Sequence, residues 1–330
     1  MKILITGGAG MLGSALAKKL VELGNTVTIF DLPNTNHPTL NNLKVKRISG
    51  DVCTLSDLKN ACLGMDQVYH VCGVVSYFKV DKEKIMKVNY ESVKDIIQVC
   101  GEKNIPLVVT ASTAGVGIPK KPLTPMNELA TFDKKYEKIA YMHSKNLALQ
   151  AIKDAGKKGI KVCAVSPTSI YGAGDMCMHI GNDVKTIAEG KMKFAPPGGN
   201  SIVAVDDVVN AHILAMKKGK PGENYIIASE NLTYLQIYHT IAKLLGKKDI
   251  TKTCCKPCIY TRYFLSFIWE TFLSIFGKKP KNPAFALRTK FKFRYFNASK
   301  AKKQLGWKPK VSFKDAMQQA IDFYREHELL

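Results

Sequence analysis

Seven residues near the amino terminus constrain this chain more than any others. Gly7-Gly8-Ala9-Gly10-Met11-Leu12-Gly13 places glycines at 7, 10 and 13 between an apolar run over 2–6 and a stretch, 11–23, with apolar residues at 12, 15, 16, 20 and 23. The first pattern predicts a strand and the second an amphipathic helix. Glycine lets the chain turn tightly between them, lets the backbone approach a pyrophosphate and lets helix pack closely on strand. The helix N-terminus then faces the negative charge. Such a loop expects a dinucleotide.

The next 150 residues repeat the alternation. Strands are expected over 26–30, 44–49, 67–72, 105–111 and 161–166, and helices from Ser56, over 81–103 and over 134–155. Strands alternating with helices make βαβ units and a parallel sheet covered on both faces. The expected fold is α/β, a doubly wound Rossmann sheet. Beyond Pro167 the rhythm loosens, with helices expected over 206–216 and 232–245, a strand over 224–228 and, after the segments 299–305 and 306–309, a last helix from Ser312. This predicts a smaller, interleaved C-terminal substrate lobe. Residues 1–175 with 200–230 are assigned to the dinucleotide domain, and 176–199 with 231–330 to the lobe.

Asp31 ends the second expected strand, 18 residues after Gly13. A carboxylate there accepts hydrogen bonds from both ribose hydroxyls and repels a 2′-phosphate, and Leu32-Pro33-Asn34 offers no cation, so NAD is favoured over NADP. Asp51-Val52 follows the third strand, where an aspartate reaches towards an adenine amine. Tyr141 and Lys145 stand at i, i+4 on one helix face, and Ser112 follows a strand. A free phenol titrates near pH 10, and a neighbouring ammonium favours its ionised form. Tyr141 is thus a candidate acid/base, Lys145 its tuner and ribose anchor, and Ser112 the group that orients the substrate oxygen. Thr113 is the alternative to Ser112.

In this order these motifs resemble the extended short-chain dehydrogenase/reductases, the NAD-dependent epimerase/dehydratase superfamily, over almost the whole chain. The resemblance rests on the TGGAGMLG loop, Asp51-Val52, Val88-Asn89, Ser112, the pentad Tyr141-Met-His-Ser-Lys145 and the run from Ser166 to Gly172. It continues through Val205-Asp-Asp-Val208 and the segment from Lys300 to Pro309. It implies cofactor contacts from Gly7, Gly10, Met11, Leu12, Gly13, Asp31, Asp51, Val52, Cys72, Gly73, Asn89, Tyr141, Lys145 and Pro167. His70-Val71-Cys72-Gly73 replaces the family's His-x-Ala-Ala. Nucleotide-sugar enzymes of the family usually carry an arginine just before Val-x-Asp-Asp, whereas Gly199–Ala204 has none. The text from Asn200 to Thr233 is closest to the 3β-hydroxysteroid dehydrogenase and dihydroflavonol reductase branches, which act on apolar alcohols and ketones. The resemblance therefore implies an NAD-dependent alcohol/ketone oxidoreductase with a hydrophobic substrate. A nucleotide-sugar epimerase or dehydratase and a non-catalytic dinucleotide-binding regulator stay open as alternatives.

The formal charge is +22, but only five of the 49 basic residues are arginine. A lysine-rich solvated surface explains this better than nucleic-acid binding, which is not expected. Nine cysteines, several on expected core strands, fit a reducing cytoplasm. Cys255-Lys-Pro-Cys258 has no second pair, so no metal is expected. Met1-Lys2 runs straight into Ile3-Leu4-Ile5, leaving no room for a secretory h-region.

Thirteen of the 19 residues over 258–276 are apolar or aromatic. As a helix this stretch is about 28 Å long, barely a membrane span. Arg262, Ser266, Glu270 and Ser274 make a polar stripe at i+4, which predicts an amphipathic helix. It reads as the lid of an apolar pocket, as core or homodimer packing, or, with Lys278, Lys279 and Lys281, as a peripheral membrane contact over 258–281.

Overall fold

The computed structural model describes residues 1–280 and 283–330, without the side chains of Lys256, Cys258 and Ile259. Lys281 and the Cys258 thiol, both singled out by sequence, thus lie outside the described residues. The amino-terminal half runs β1 (Lys2–Thr6), α1 (Met11–Glu22), β2 (Thr26–Asp31), β3 (Lys46–Ser49), α2 (Leu55–Ala61), β4 (Gln67–His70), α3 (Lys82–Met86), a π turn (Lys87–Glu91), α4 (Ser92–Glu102), β5 (Leu107–Thr110), α5 (Ala140–Lys157) and β6 (Val162–Pro167). The rest comprises β7 (Ser169–Tyr171), α6 (Gly181–Ala188), β8 (Gly199–Ala204), α7 (Val205–Lys218), β9 (Asn224–Ile227), β10 (Glu230–Thr233), α8 (Tyr234–Leu244), α9 (Lys256–Ile275), α10 (Ala284–Thr289), β11 (Phe293–Arg294), α11 (Ser299–Leu305) and α12 (Phe313–Glu326).

Seven strands form one sheet in the order β3-β2-β1-β4-β5-β6-β9, every neighbour parallel. Alternate side chains serve opposite faces: Ile3 and Ile5 join one core, with α1 and α7, and Leu4 joins the other, with α2, α4 and α5. The order reverses between β1 and β4, which opens a crevice at their carboxyl ends. The expected doubly wound sheet is thus present.

A second sheet is built around β8. Antiparallel β10 lies on one side; on the other, β11 pairs with Gly199 and Asn200, and β7 pairs with Ile202–Ala204. Its core joins α6, α8 and α12. The chain then returns to the first sheet. Gly306, at φ 73°, ends α11 in the left-handed region, and the fully buried Trp307 follows it into the core beside α7. Its indole donates to the Asp207 carbonyl at 2.9 Å, and the Asp207 carboxylate accepts the Lys310 and Val311 amides at 2.9–3.1 Å. The two late sequence motifs are therefore one clasp.

Some boundaries differ from expectation. The helix expected from Ser56 starts at Leu55 behind Thr54, because the Asp51 carboxylate takes the Cys53 amide and turns the chain earlier. The helix expected from Lys134 starts at Ala140; Asp133 instead caps a short 3-10 turn over Lys134–Tyr136. Among the described residues seven cysteines are free thiols, but Cys255 is disulfide-bonded, which departs from the all-reduced reading.

Candidate active site

The crevice continues into a cavity of about 960 Å³ that runs from the glycine loop, past Ser112 and Tyr141, to Tyr234 and Arg294. Gly7 sits at φ 67°, and a Cβ there would lie 2.7 Å from the Cys72 backbone. A Cβ on Gly13 would lie 2.2 Å from the Gly7 carbonyl oxygen, so only glycine allows α1 this close to the loop. At Gly10 the nearest atom would be 3.4 Å away, so the protein itself leaves room there. Gly7, Gly10, Met11, Leu12 and Gly13 all line the cavity. So does Asp31, whose carboxylate accepts the Ala9 and Leu32 amides, each at 2.9 Å, and so stands beside the loop.

The expected acid/base group lies at the other end. Tyr141 donates to Ser112 Oγ at 3.3 Å, and Ser112 also accepts the Ala114 amide. Thr113 also lines the cavity but donates to the Pro167 carbonyl at 3.4 Å rather than meeting Tyr141. Lys145 is buried and donates to the Thr110 carbonyl at 3.4 Å. Burial pulls its ammonium down to about 8. Burial also pushes the Tyr141 phenol above its ordinary range, reinforced by Tyr77, while the Ser112 hydrogen bond and the Arg294 charge pull against it. Sequence expected Lys145 to lower Tyr141; in this cavity desolvation wins.

Cys72, Gly73 and Pro167 also line the cavity; Asp51, Val52 and Asn89 do not. Asp51 is exposed, its carboxylate occupied by the Cys53 amide, and Val52 is buried in the core beside β1. Asn89 lies in the π turn behind Gly73. Its amide clamps Val74 through both backbone groups at 2.8 Å and donates to Ser144 at 3.4 Å. A Cβ on Gly73 would stand 3.2 Å from Lys145 Nζ and 3.3 Å from the Asn89 oxygen. Asn89 thus braces the loop that faces Lys145.

Sequence did not single out two neighbours. Tyr77 meets Tyr141 edge-on, ring centroids 5.4 Å apart. Arg294 enters from β11 and donates to the Tyr234 hydroxyl at 3.1 Å. Its signal was scarcity: it is one of five arginines, set among aromatics in Phe293-Arg-Tyr-Phe296.

The apolar segment is also revised. In α9, Glu270 is 6% exposed and accepts the Ala284 amide at 2.7 Å, and Ser266 and Ser274 are half-buried. Phe264, Leu265, Trp269 and Ile275 face outward, between 56% and 76% exposed. From Ser266 to Ser274 the polar stripe faces the protein, while Arg262 is exposed and most of the aromatics face out, the reverse of a helix docked on a core. No described side chain of α9 lines the cavity; α10 supplies that wall through Phe285, Ala286, Thr289 and Lys290. No described helix is long and apolar enough to cross a membrane. Among the described residues no cluster of His, Cys, Asp or Glu could hold a metal ion.

Comparison with known proteins agrees with this geometry. Residues 4–238 match the model of the 3-beta hydroxysteroid dehydrogenase/isomerase family. Sterol demethylase protein B of Methylococcus capsulatus is 29% identical over 253 residues, covering 74% of this chain and 75% of that protein. The mouse sterol-4-alpha-carboxylate 3-dehydrogenase, decarboxylating, is 25% identical, covering 98% and 91%. Among solved structures, gox2253 superposes with a TM-score of 0.84 at 26% identity, covering 99% of both chains. The Thermus thermophilus UDP-glucose 4-epimerase, in complex with NAD, shares the fold with a TM-score of 0.75 at 19% identity, covering 98% and 99%.

Proposed function

The chain belongs to the 3-beta hydroxysteroid dehydrogenase/isomerase family of extended short-chain dehydrogenases/reductases, and on that premise we propose that it interconverts a secondary alcohol and a ketone on a hydrophobic, sterol-like substrate with NAD. One observation carries the reading: the Tyr141–Ser112 hydrogen bond lies in the same cavity as the glycine loop and Asp31. The loop has the shape NAD needs, since Gly7 and Gly13 occupy positions that a Cβ would fill and Gly10 leaves the approach open. In this reading the Asp31 carboxylate accepts hydrogen bonds from the adenosine ribose hydroxyls, and the Lys145 ammonium donates to those of the nicotinamide ribose.

Bound NAD supplies the hydride acceptor, and NADH the donor. The protein supplies orientation and the proton. Ser112 holds the substrate oxygen beside Tyr141. In reduction the Tyr141 phenol, held neutral by burial, gives its proton to that oxygen and becomes the phenolate; in oxidation the phenolate takes the proton from the substrate hydroxyl. Arg294 and the Ser112 hydrogen bond both favour the ionised form that the proton transfer leaves behind. The sterol relatives and the aromatic far wall support an apolar substrate.

The test is a titration of the protein with NADH and NADPH, followed by steady-state turnover of a hydroxysteroid. NADH should bind more tightly than NADPH, and Tyr141→Phe should lower turnover about 10²–10⁴-fold with NADH affinity unchanged. Retained turnover would remove Tyr141 from the role, and conversion of a UDP-sugar without net NADH production would favour an epimerase.

The same substrate chemistry bears on α9. Its outward aromatics adjoin Lys278 on a chain of formal charge +22. This combination fits the surface of a bilayer containing anionic lipid, with the helix lying in the interface. Glu270 and the Lys279–Asp81 ion pair at 2.7 Å would hold the helix on the protein.

A further inference from the structure

The segment that leaves β2 after Asp31 is fastened at its far end to distant parts of the chain. Asn34, Thr35, Asn36 and His37 line the cavity beyond Asp31. His37 is 2% exposed, and both its ring nitrogens are engaged. Nε2 meets the Gly174 carbonyl at 2.8 Å, and Nδ1 accepts the Thr39 amide at 3.3 Å. A carbonyl can only accept, so Nε2 carries the proton and the ring is neutral. Gly174 lies just beyond β7, 137 residues further along the chain. The ring also stacks on Phe323 of α12, centroids 6.2 Å apart and planes 12° from parallel, and Phe323 stacks in turn on His327 at 4.2 Å. The other ties of the segment are local or exposed: Thr35 donates to the Leu32 carbonyl, Asn36 to Asn41, and Arg47 to Asn36.

We propose that His37 is a positioning residue for the cofactor, holding the segment 32–36 so that the adenosine end of NAD meets a preformed wall beside Asp31. This role rests on the NAD reading above. A wall ordered before the ligand arrives need not be ordered on binding, and such preorganisation appears mainly as slower dissociation. Protonation undoes the hold. A proton on Nδ1 replaces an acceptor by a donor facing the Thr39 amide. Burial keeps the imidazole below its ordinary range, and His327 on α12 adds to this, while the Gly174 carbonyl pulls the other way. After β7, the Asp175 carboxylate is taken by the His179, Ile180 and Gly181 amides and the Tyr324 hydroxyl, and His179 is exposed at the cavity edge. Arg47 reaches the segment from β3, and Asp31 accepts the Ala9 and Leu32 amides. His37 is therefore neutral at pH 7 and takes up its second proton only below about pH 6.5.

The test is stopped-flow NADH fluorescence on the full chain, with calorimetry of ADP, the adenosine end alone. His37→Ala should weaken NADH and ADP by the same factor, about five- to tenfold, nearly all of it in the dissociation rate. Phe323→Leu, at a residue that does not line the cavity, should shift both in the same direction by less. His37→Gln keeps a donor for the Gly174 carbonyl and should retain most of the affinity. From pH 7.5 to 5.5 wild-type dissociation should quicken, and His37→Gln should flatten that profile. Unchanged NADH and ADP affinity in His37→Ala overturns the role and leaves the NAD site standing. Faster association at equal affinity would mean that His37 bars the cavity instead of shaping it, and overturns the role too. A loss confined to NADH, with ADP unaffected, does the same. Failure of the wild type to bind NADH overturns the NAD reading and the role together. If His37→Ala does not fold, Phe323→Leu and the pH profile of His37→Gln decide.

Discussion

At the residue scale, two glycines only three positions apart have different tasks. Gly13 is needed by the protein itself, since a Cβ would meet the Gly7 carbonyl oxygen at 2.2 Å. Gly10 has ordinary room and φ −86°, yet lines the cavity. Gly13→Ala should therefore lose about 1–3 kcal/mol in urea unfolding without ligand, as overpacking costs. Gly10→Ala should unfold like wild type but bind NADH at least about tenfold more weakly. Equal loss of stability in both variants would refute this division. Spacing was enough to find the loop, Asp31, Ser112, Tyr141 and Lys145, because each stands at a fixed distance from a strand end or helix turn. It could not find Arg294, whose place depends on a pairing with Asn200 across 94 residues of chain.

At the scale of elements, the amino-terminal strands and helices were readable because their apolar periods are local. The short strands β7, β8, β10 and β11 were not, since they gain stability only from one another around β8. In α9 the stripe was legible but not its direction: Glu270 accepts the Ala284 amide, which turns the stripe inward from Ser266 to Ser274 and leaves Arg262 exposed. If the outward face meets a bilayer, the protein should sediment with phosphatidylcholine vesicles containing phosphatidylglycerol, less with pure phosphatidylcholine, and less in high salt. Replacing Phe264, Ile268 and Trp269 by serine should abolish this while sparing NADH binding. Unchanged sedimentation would refute the membrane contact. A concentration-dependent doubling of mass that the same variant removes would assign the face to a second copy.

At the scale of the molecule, two buried histidines set a limit on the acid side. Burial pulls His70 down to about 3, with Lys145 adding to the effect, and pulls His212 down to about 4. His212 is held between Thr110 and the Val208 carbonyl, across α7 and β5. Both folded values lie below the unfolded one, so the unfolded chain binds protons that the folded chain refuses. Stability is therefore present above about pH 6.5 and is lost as pH falls towards 4. At pH 5 the loss relative to neutral pH is on the order of 2 kcal/mol per histidine. Urea unfolding at pH 7 and 5 should show it, and His212→Gln should remove about half. Identical pH dependence in that variant would show that His212 does not carry the loss.

The clasp of Trp307 on Asp207 has a consequence for how the molecule is made. The seven-stranded sheet receives its last strand at Ile227, but the core beneath it is completed by Trp307, 80 residues later. Meanwhile β8 waits for β11 at Phe293 to cover its edge. A ribosome must therefore deliver nearly the whole chain before the core of the first sheet and the edge of the second are finished. The two halves mature together, so a fragment cut between them would inherit an incomplete interior on both sides.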